Sequence, residues 1–117
     1  MKGQIDRTDR VLGLLGFAAR ARRAVMGVSL ICTALSRGAA GKTPLVIVEA
    51  ADSSANSHKR ITDRAAYYGV PCKQLACDMA RLALAVGKRD GACAAVGVTD
   101  PELARAILAL IQEQNEQ

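Results

Sequence analysis

Val11, Leu12, Leu14, Leu15, Ala18 and Ala19 recur at the three-to-four spacing that gathers side chains on one side of a helix. Asp6, Thr8 and Asp9 supply the oxygen acceptors that a helix start needs, and Arg20, Arg22 and Arg23 follow at the carboxyl end, where cations meet the negative pole of the helix dipole. The spacing predicts a first helix there. Directly after Gly27, the run SLICTALSR places Leu30, Ile31, Ala34 and Leu35 on one side and stops at Gly38, which predicts a second helix. Pro44 to Val48 (PLVIV) has no helical polarity and is rich in branched side chains, the pattern of a strand covered on both faces. Asp52 and Ser53 are expected to cap a third helix that runs to Tyr68 and ends at Gly69. Pro71 then opens a short strand, VPCKQL. Asp78 caps a fourth helix, MARLALAV, which Gly87 closes, and Ala92 to Val98 forms the next buried strand. Thr99, Asp100, Pro101 and Glu102 open a last helix through Ile111, with proline at a first-turn position that does not need its missing N–H.

Helices alternating with buried strands imply an α/β fold, a three-layer α/β/α sandwich around a small central sheet. Neither an internal repeat nor a linker interrupts the 117 residues, so residues 1–117 read as one domain. Half of the residues are apolar, enough to bury a core without disulfides or a structural metal. The longest uncharged stretch, Ala24 to Ser36, is far shorter than the roughly 18 apolar residues of a membrane span. Charged residues crowd the amino end where a secretory signal would be apolar, which leads to the expectation of a cytoplasmic protein with no membrane partner.

Charge changes the picture more. Residues 1–90 carry 15 basic and 7 acidic side chains, whereas residues 91–117 carry 1 basic and 4 acidic ones. A basic surface before residue 91 attracts polyanions, and nucleic acid is the first partner to consider. Catalytic signatures are missing: no phosphate-binding GxxxxGK[ST], no GxGxxG with a ribose-binding acid, no HExxH and no GxSxG occurs. The acids Asp6, Asp9, Asp52 and Asp78 fall at helix starts, where capping accounts for them. Cys32, Cys72, Cys77 and Cys93 contain no CxxC pair and read as small buried hydrophobes rather than metal ligands. His58 stands in a polar segment, SSANSHKR, without a neighbouring acid to orient it. No enzyme, metal or cofactor is expected.

The style of nucleic-acid binding can be narrowed. Stacking on a sheet face needs exposed aromatics on strands, but Phe17, Tyr67 and Tyr68 all fall on helices. A helix start is the alternative: Gly27 has no side chain, and the N–H groups of Val28, Ser29 and Leu30 would point outward with the positive end of the dipole. Arg20, Arg22 and Arg23 precede this turn and are expected to flank it.

In order and spacing, RAVMGVSLICTALSRG, PLVIVEAADSSANSHKRITDRAAYYGVP, LALAVGKRDGACAAVGVTD and the final helix resemble the kink-turn-binding ribosomal proteins of L-seven-Ae and L-thirty-e type, most closely the small bacterial, ribosome-associated members. The resemblance covers roughly Val11 to Ile111. It implies a four-stranded mixed sheet in which the AVM segment before Gly27 is an extra short strand. It also implies non-enzymatic binding of structured RNA, ribosomal or other noncoding, through the start of helix two and the loop before the last strand. Where RNA-binding relatives place Asn or Lys, then Glu or Gln, and a further Lys to read sheared G·A pairs, this chain has Ser29, Leu30 and Thr33. Lys88, Arg89, Asp90 and Gly91 form a more charged loop than the apolar one with which relatives cover a flipped-out base. The expected mode is therefore phosphate-dominated and weakly selective, with Arg22, Arg23, Gly27, Val28, Ser29, Leu30, Thr33, Lys59, Lys88 and Arg89 as the RNA-contacting set. The protein is expected to be a monomer or to self-associate weakly. The alternative is a protein-interaction scaffold that kept the fold and lost kink-turn readout.

Overall fold

In the computed structural model, which describes residues 7–115 and the side chains of 7–112, five helices surround four strands. The helices are α1 (Arg7–Arg20), α2 (Val28–Arg37), α3 (Ala55–Tyr68), α4 (Met79–Val86) and α5 (Pro101–Asn115). The strands are β1 (Ala24–Met26), β2 (Val46–Ala50), β3 (Cys72–Leu75) and β4 (Ala95–Val98). They lie in the order β1-β4-β2-β3, with β4 antiparallel to both neighbours and β2 parallel to β3. The central pair is buried throughout, and β1 and β3 are the edges. This is the expected layered mixed sheet, with AVM as its extra strand.

Side-chain alternation divides β2 between two cores. Val46, Val48 and Ala50 pack with Leu15, Leu82 and Ile107 of α1, α4 and α5, while Ile47 packs with Ile31 and Leu35 of α2 and Ile61 of α3. Two glycines permit close approaches. A Cβ on Gly97 of β4 would stand 2.9 Å from Pro44 Cβ, and one on Gly16 of α1 would stand 2.7 Å from the carbonyl oxygen of Ala85 in α4.

Element ends differ from expectation where side chains found other partners. The expected α3 cap Asp52 instead accepts the Met79 N–H at the start of α4, at 2.8 Å, beside the expected cap Asp78 on Arg81 N–H. Ser53 turns its hydroxyl to Glu49, and Ser54 is the cap of α3, accepting from Ser57 N–H. Asp9 lies inside the first turn of α1 and forms an ion pair with Arg81, while Thr8 is buried; Asp6 lies outside the described residues. The strand expected at Pro44–Val48 is shifted to Val46–Ala50, and that at Ala92–Val98 is shortened to Ala95–Val98. The last helix continues past Ile111 to Asn115. Cys32, Cys77 and Cys93 are buried as expected, but Cys72 is only partly so, because β3 is an edge strand.

Candidate nucleic-acid interface

Gly27 is the N-cap of α2 with φ 97°, a conformation that L side chains rarely adopt, and it makes no side-chain cap. Its own N–H donates to the Ala95 carbonyl at 2.9 Å and its carbonyl accepts from Ile31 N–H at 3.0 Å. The turn therefore needs glycine for backbone reasons alone. It leaves the amides of Val28, Ser29 and Leu30 uncapped at the positive end of the helix dipole.

Burial sorts the residues after it. Val28 turns its side chain into the core and offers only its amide, whereas Ser29, Leu30 and Thr33 are exposed. Leu30 was expected on the apolar side of the helix. It is 62% exposed, because Val28, Ile31, Cys32 and Leu35 already complete the buried stripe.

Tertiary pairing decides which cations join this helix start. Arg60 of α3, absent from the expected contact set, donates from Nη1 to Ser29 Oγ at 3.2 Å. The loop carrying Lys88 and Arg89 leads into β4 at the same end of the sheet, where the Ala95 carbonyl takes the Gly27 N–H and Cys93 lies two residues before it. Burial raises the pKa of that thiol, and its bond to the Ala95 carbonyl, at 3.3 Å, leaves it as core packing.

Arg22 and Arg23 do not flank the turn. They precede β1 while Gly27 follows it, and Arg23 to Gly27 spans about 13 Å at the usual strand rise of roughly 3.3 Å. The Arg23 carbonyl accepts from Thr99 N–H at the far end of the β1–β4 pair, and Arg22 takes a left-handed backbone there, with φ 61°. Two other expected contacts are engaged within the protein. Lys59 donates to Asp63 at 2.8 Å, a bond that raises its pKa, and Lys88 donates to Asp90, which lowers the pKa of that carboxyl. Arg60 and Arg89 have no ion-pair partner among the described residues.

These features belong to a chain that is 37% identical to the RNA-binding protein YlxQ of Bacillus subtilis over 98 residues, covering 84% of this chain and 91% of that one. The chain belongs to the YlxQ family. A YlxQ-family chain of this fold also superposes on a protein of unknown function from Bacillus halodurans, with TM-score 0.77, 28% identity, and coverage of 88% of this chain and 97% of the other. The Giardia lamblia 15.5 kD RNA binding protein shares the fold at TM-score 0.71 and 13% identity, covering 95% of this chain and 89% of the other. No family model matches the sequence.

Beyond this helix start, the YlxQ-family chain holds an acid and a histidine that sequence reading kept apart. Glu49, 1% exposed in β2, accepts from Ser53 and lies 2.8 Å from His58 Nδ1 through Oε2 and 2.9 Å through Oε1. The expectation that His58 lacks an acid fails because β2 ends beside the first turn of α3, nine residues on. Cys72 does not complete a nucleophilic pair with it. Desolvation, then the Glu49 charge, pushes the Cys72 thiol up to about 11, opposite to nucleophile activation. Among the described residues no group of three or more His, Cys, Asp or Glu is placed to hold a metal, and no described helix is long and apolar enough to cross a membrane.

Proposed function

We propose that the protein binds structured RNA without catalysis, in the manner of a small ribosome-associated protein, with the start of α2 as the centre of contact. The observation that carries this reading is the uncapped α2 terminus with Arg60 on Ser29 and the Lys88–Arg89 loop leading into the strand that pairs with Gly27, in a chain whose relative is named RNA-binding. Outward amides with a cation at the helix start favour phosphates over base edges. Ser29 offers one hydroxyl, already accepting from Arg60, and Leu30 and Thr33 lack the forked donor and acceptor pair that reads a base edge. Recognition is phosphate-dominated, with only modest preference for a kink-turn over other folded RNA.

The test is fluorescence anisotropy with a kink-turn duplex, a copy with its tandem G·A pairs disrupted, and a ribosomal RNA fragment, each titrated with salt. Affinity is expected to fall steeply with salt for all three, and the kink-turn to be preferred by less than about a hundredfold. No binding at low salt overturns the proposal. A preference of a hundredfold or more overturns its weak selectivity and assigns base recognition to the backbone amides after Gly27.

A further inference from the structure

Between the outer edge of β1 and the face of α2 lies an open groove of about 500 Å³. Its apolar wall is Val25, Leu30 and Ala34, and Arg37 and Lys42 also line it. Leu30, Ala34 and Arg37 lie four and then three residues apart, so one helix face presents an apolar surface that ends in a guanidinium. A smaller neighbouring groove shares Lys42 and adds Arg22, the arginine that stands away from the helix start. Among the described residues neither groove has a carboxylate in its lining.

The edge of β1 adds directional groups. Arg23 and Gly27 exchange hydrogen bonds with β4, through Thr99 N–H and the Ala95 carbonyl, so Val25 opposite Gly97 is the hydrogen-bonded pair between them. Alternation then turns the N–H and C=O of Ala24 and Met26 away from β4, onto the open edge of the sheet. The groove therefore combines an apolar wall, main-chain donors and acceptors, and two cations, with a third, Arg22, in the adjoining groove. That chemistry fits a nucleobase carrying a phosphate, and Leu30 makes the groove continuous with the α2 start.

We infer that this groove takes an unpaired nucleotide of the bound RNA, its base against Val25, Leu30 and Ala34 and its phosphates on Arg37 and Lys42. This rests on the RNA-binding reading and adds a second, single-stranded element to it. It also assigns Leu30 a contact in place of the edge readout it cannot perform. A protein strand pairing along β1 is the competing occupant, but the excess of cations with no acid favours the nucleotide.

Two probes separate the inference from the reading beneath it: hexauridylate and a fully paired-stem kink-turn duplex, each titrated into the labelled protein and followed by amide shifts in NMR spectra. Hexauridylate is expected to move the amides of Val25, Met26, Ala34 and Arg37 saturably, and Ala34→Glu to abolish those shifts. Arg37→Gln with Lys42→Gln, both exposed changes, should reduce the logarithmic salt slope for hexauridylate by about 1.4, at roughly 0.7 per phosphate on a single strand. Unchanged melting of the variants separates lost contact from lost fold. If hexauridylate leaves the groove unmoved while the kink-turn duplex moves Gly27 to Leu30, the nucleotide is excluded and RNA binding stands. If neither probe moves any amide, both readings fall.

Discussion

His58 Nδ1 stands 2.8 Å from Glu49 Oε2, so a half-exposed imidazole closes the solvent side of a carboxylate buried in the central sheet. Ser53 donates to the same carboxylate from the turn that links them. A buried charge is tolerated only where such donors replace water. His58→Ala is expected to cost about 1–3 kcal/mol in urea denaturation, because it leaves the acid with one donor fewer. Glu49→Leu with His58→Leu should be less destabilising than the single His58 change, since removing both partners also removes the unsatisfied charge. A double change costing the sum of both single changes would mean the pair acts only through packing.

Gly13 and Gly16 sit one turn apart in α1 and should respond oppositely to alanine. Around Gly13 nothing lies within 4 Å of an added Cβ, and replacing an exposed helix glycine should stabilise by roughly 0.5–1 kcal/mol. At Gly16 the Cβ would press on the Ala85 carbonyl at 2.7 Å, backbone that cannot swing aside as a side chain would. Overpacking of this kind costs about 1–3 kcal/mol, which exceeds the propensity gain, so Gly16→Ala should lower the urea midpoint while Gly13→Ala raises it.

The same pair shows what the sequence makes legible. Apolar spacing around both glycines predicts α1, and Gly38, Gly69 and Gly87 mark three helix ends with left-handed caps as expected. Local chemistry suffices for such features because caps and periodicity act within a turn or two. Asp52 was assigned to the nearest helix in sequence, but the fold brings it to Met79, 27 residues on, and no local pattern carries that information. Arg60 on Ser29, 31 residues apart, and Arg22 across β1 from Gly27 failed for the same reason. The charge excess was visible in composition, yet which cations remain unpaired depended on neighbours such as Asp63 and Asp90.

Cys72 and Cys77 should be unreactive at neutral pH and become reactive only in strong base. Desolvation is the first cause for both, reinforced by Glu49 at Cys72 and by Asp78 and Asp52 at Cys77, and each thiol is pushed from 9.0 up to about 11. At pH 8 a group with that pKa is about one-thousandth thiolate, and its alkylation rate should rise about tenfold per pH unit. The unfolded chain ionises first, so these thiols favour folding below pH 9 and that contribution is lost as pH rises from 9 through about 11. Iodoacetamide labelling followed by peptide mass mapping checks the rates. Rapid labelling of either cysteine in the folded protein at pH 7 would contradict the burial argument.

Adjacent cations give the sharpest test of how the α2 start meets RNA. Lys59 and Arg60 follow one another in α3, but Lys59 is held by Asp63 one turn on while Arg60 reaches across to Ser29. The loop repeats the contrast, with Lys88 on Asp90 and Arg89 unpaired among the described residues. A lysine must give up its carboxylate before it can neutralise a phosphate, so its net gain is small, whereas a free arginine displaces only water and counterions. Arg60→Gln and Arg89→Gln should each weaken binding to a kink-turn duplex and to its G·A-disrupted copy alike. Each should reduce the logarithmic salt slope by roughly 0.7–0.9. Lys59→Gln and Lys88→Gln should leave the slope nearly unchanged, because an ammonium held by Asp63 or Asp90 contacts no phosphate and so displaces no counterion from the RNA. Arg60→Gln carries a second consequence, since it frees the Ser29 hydroxyl for RNA. Ser29→Ala should therefore cost affinity in the Arg60→Gln background and little in the natural chain. Equal effects of all four substitutions would show that total charge, rather than the pairing seen in the structure, sets the affinity.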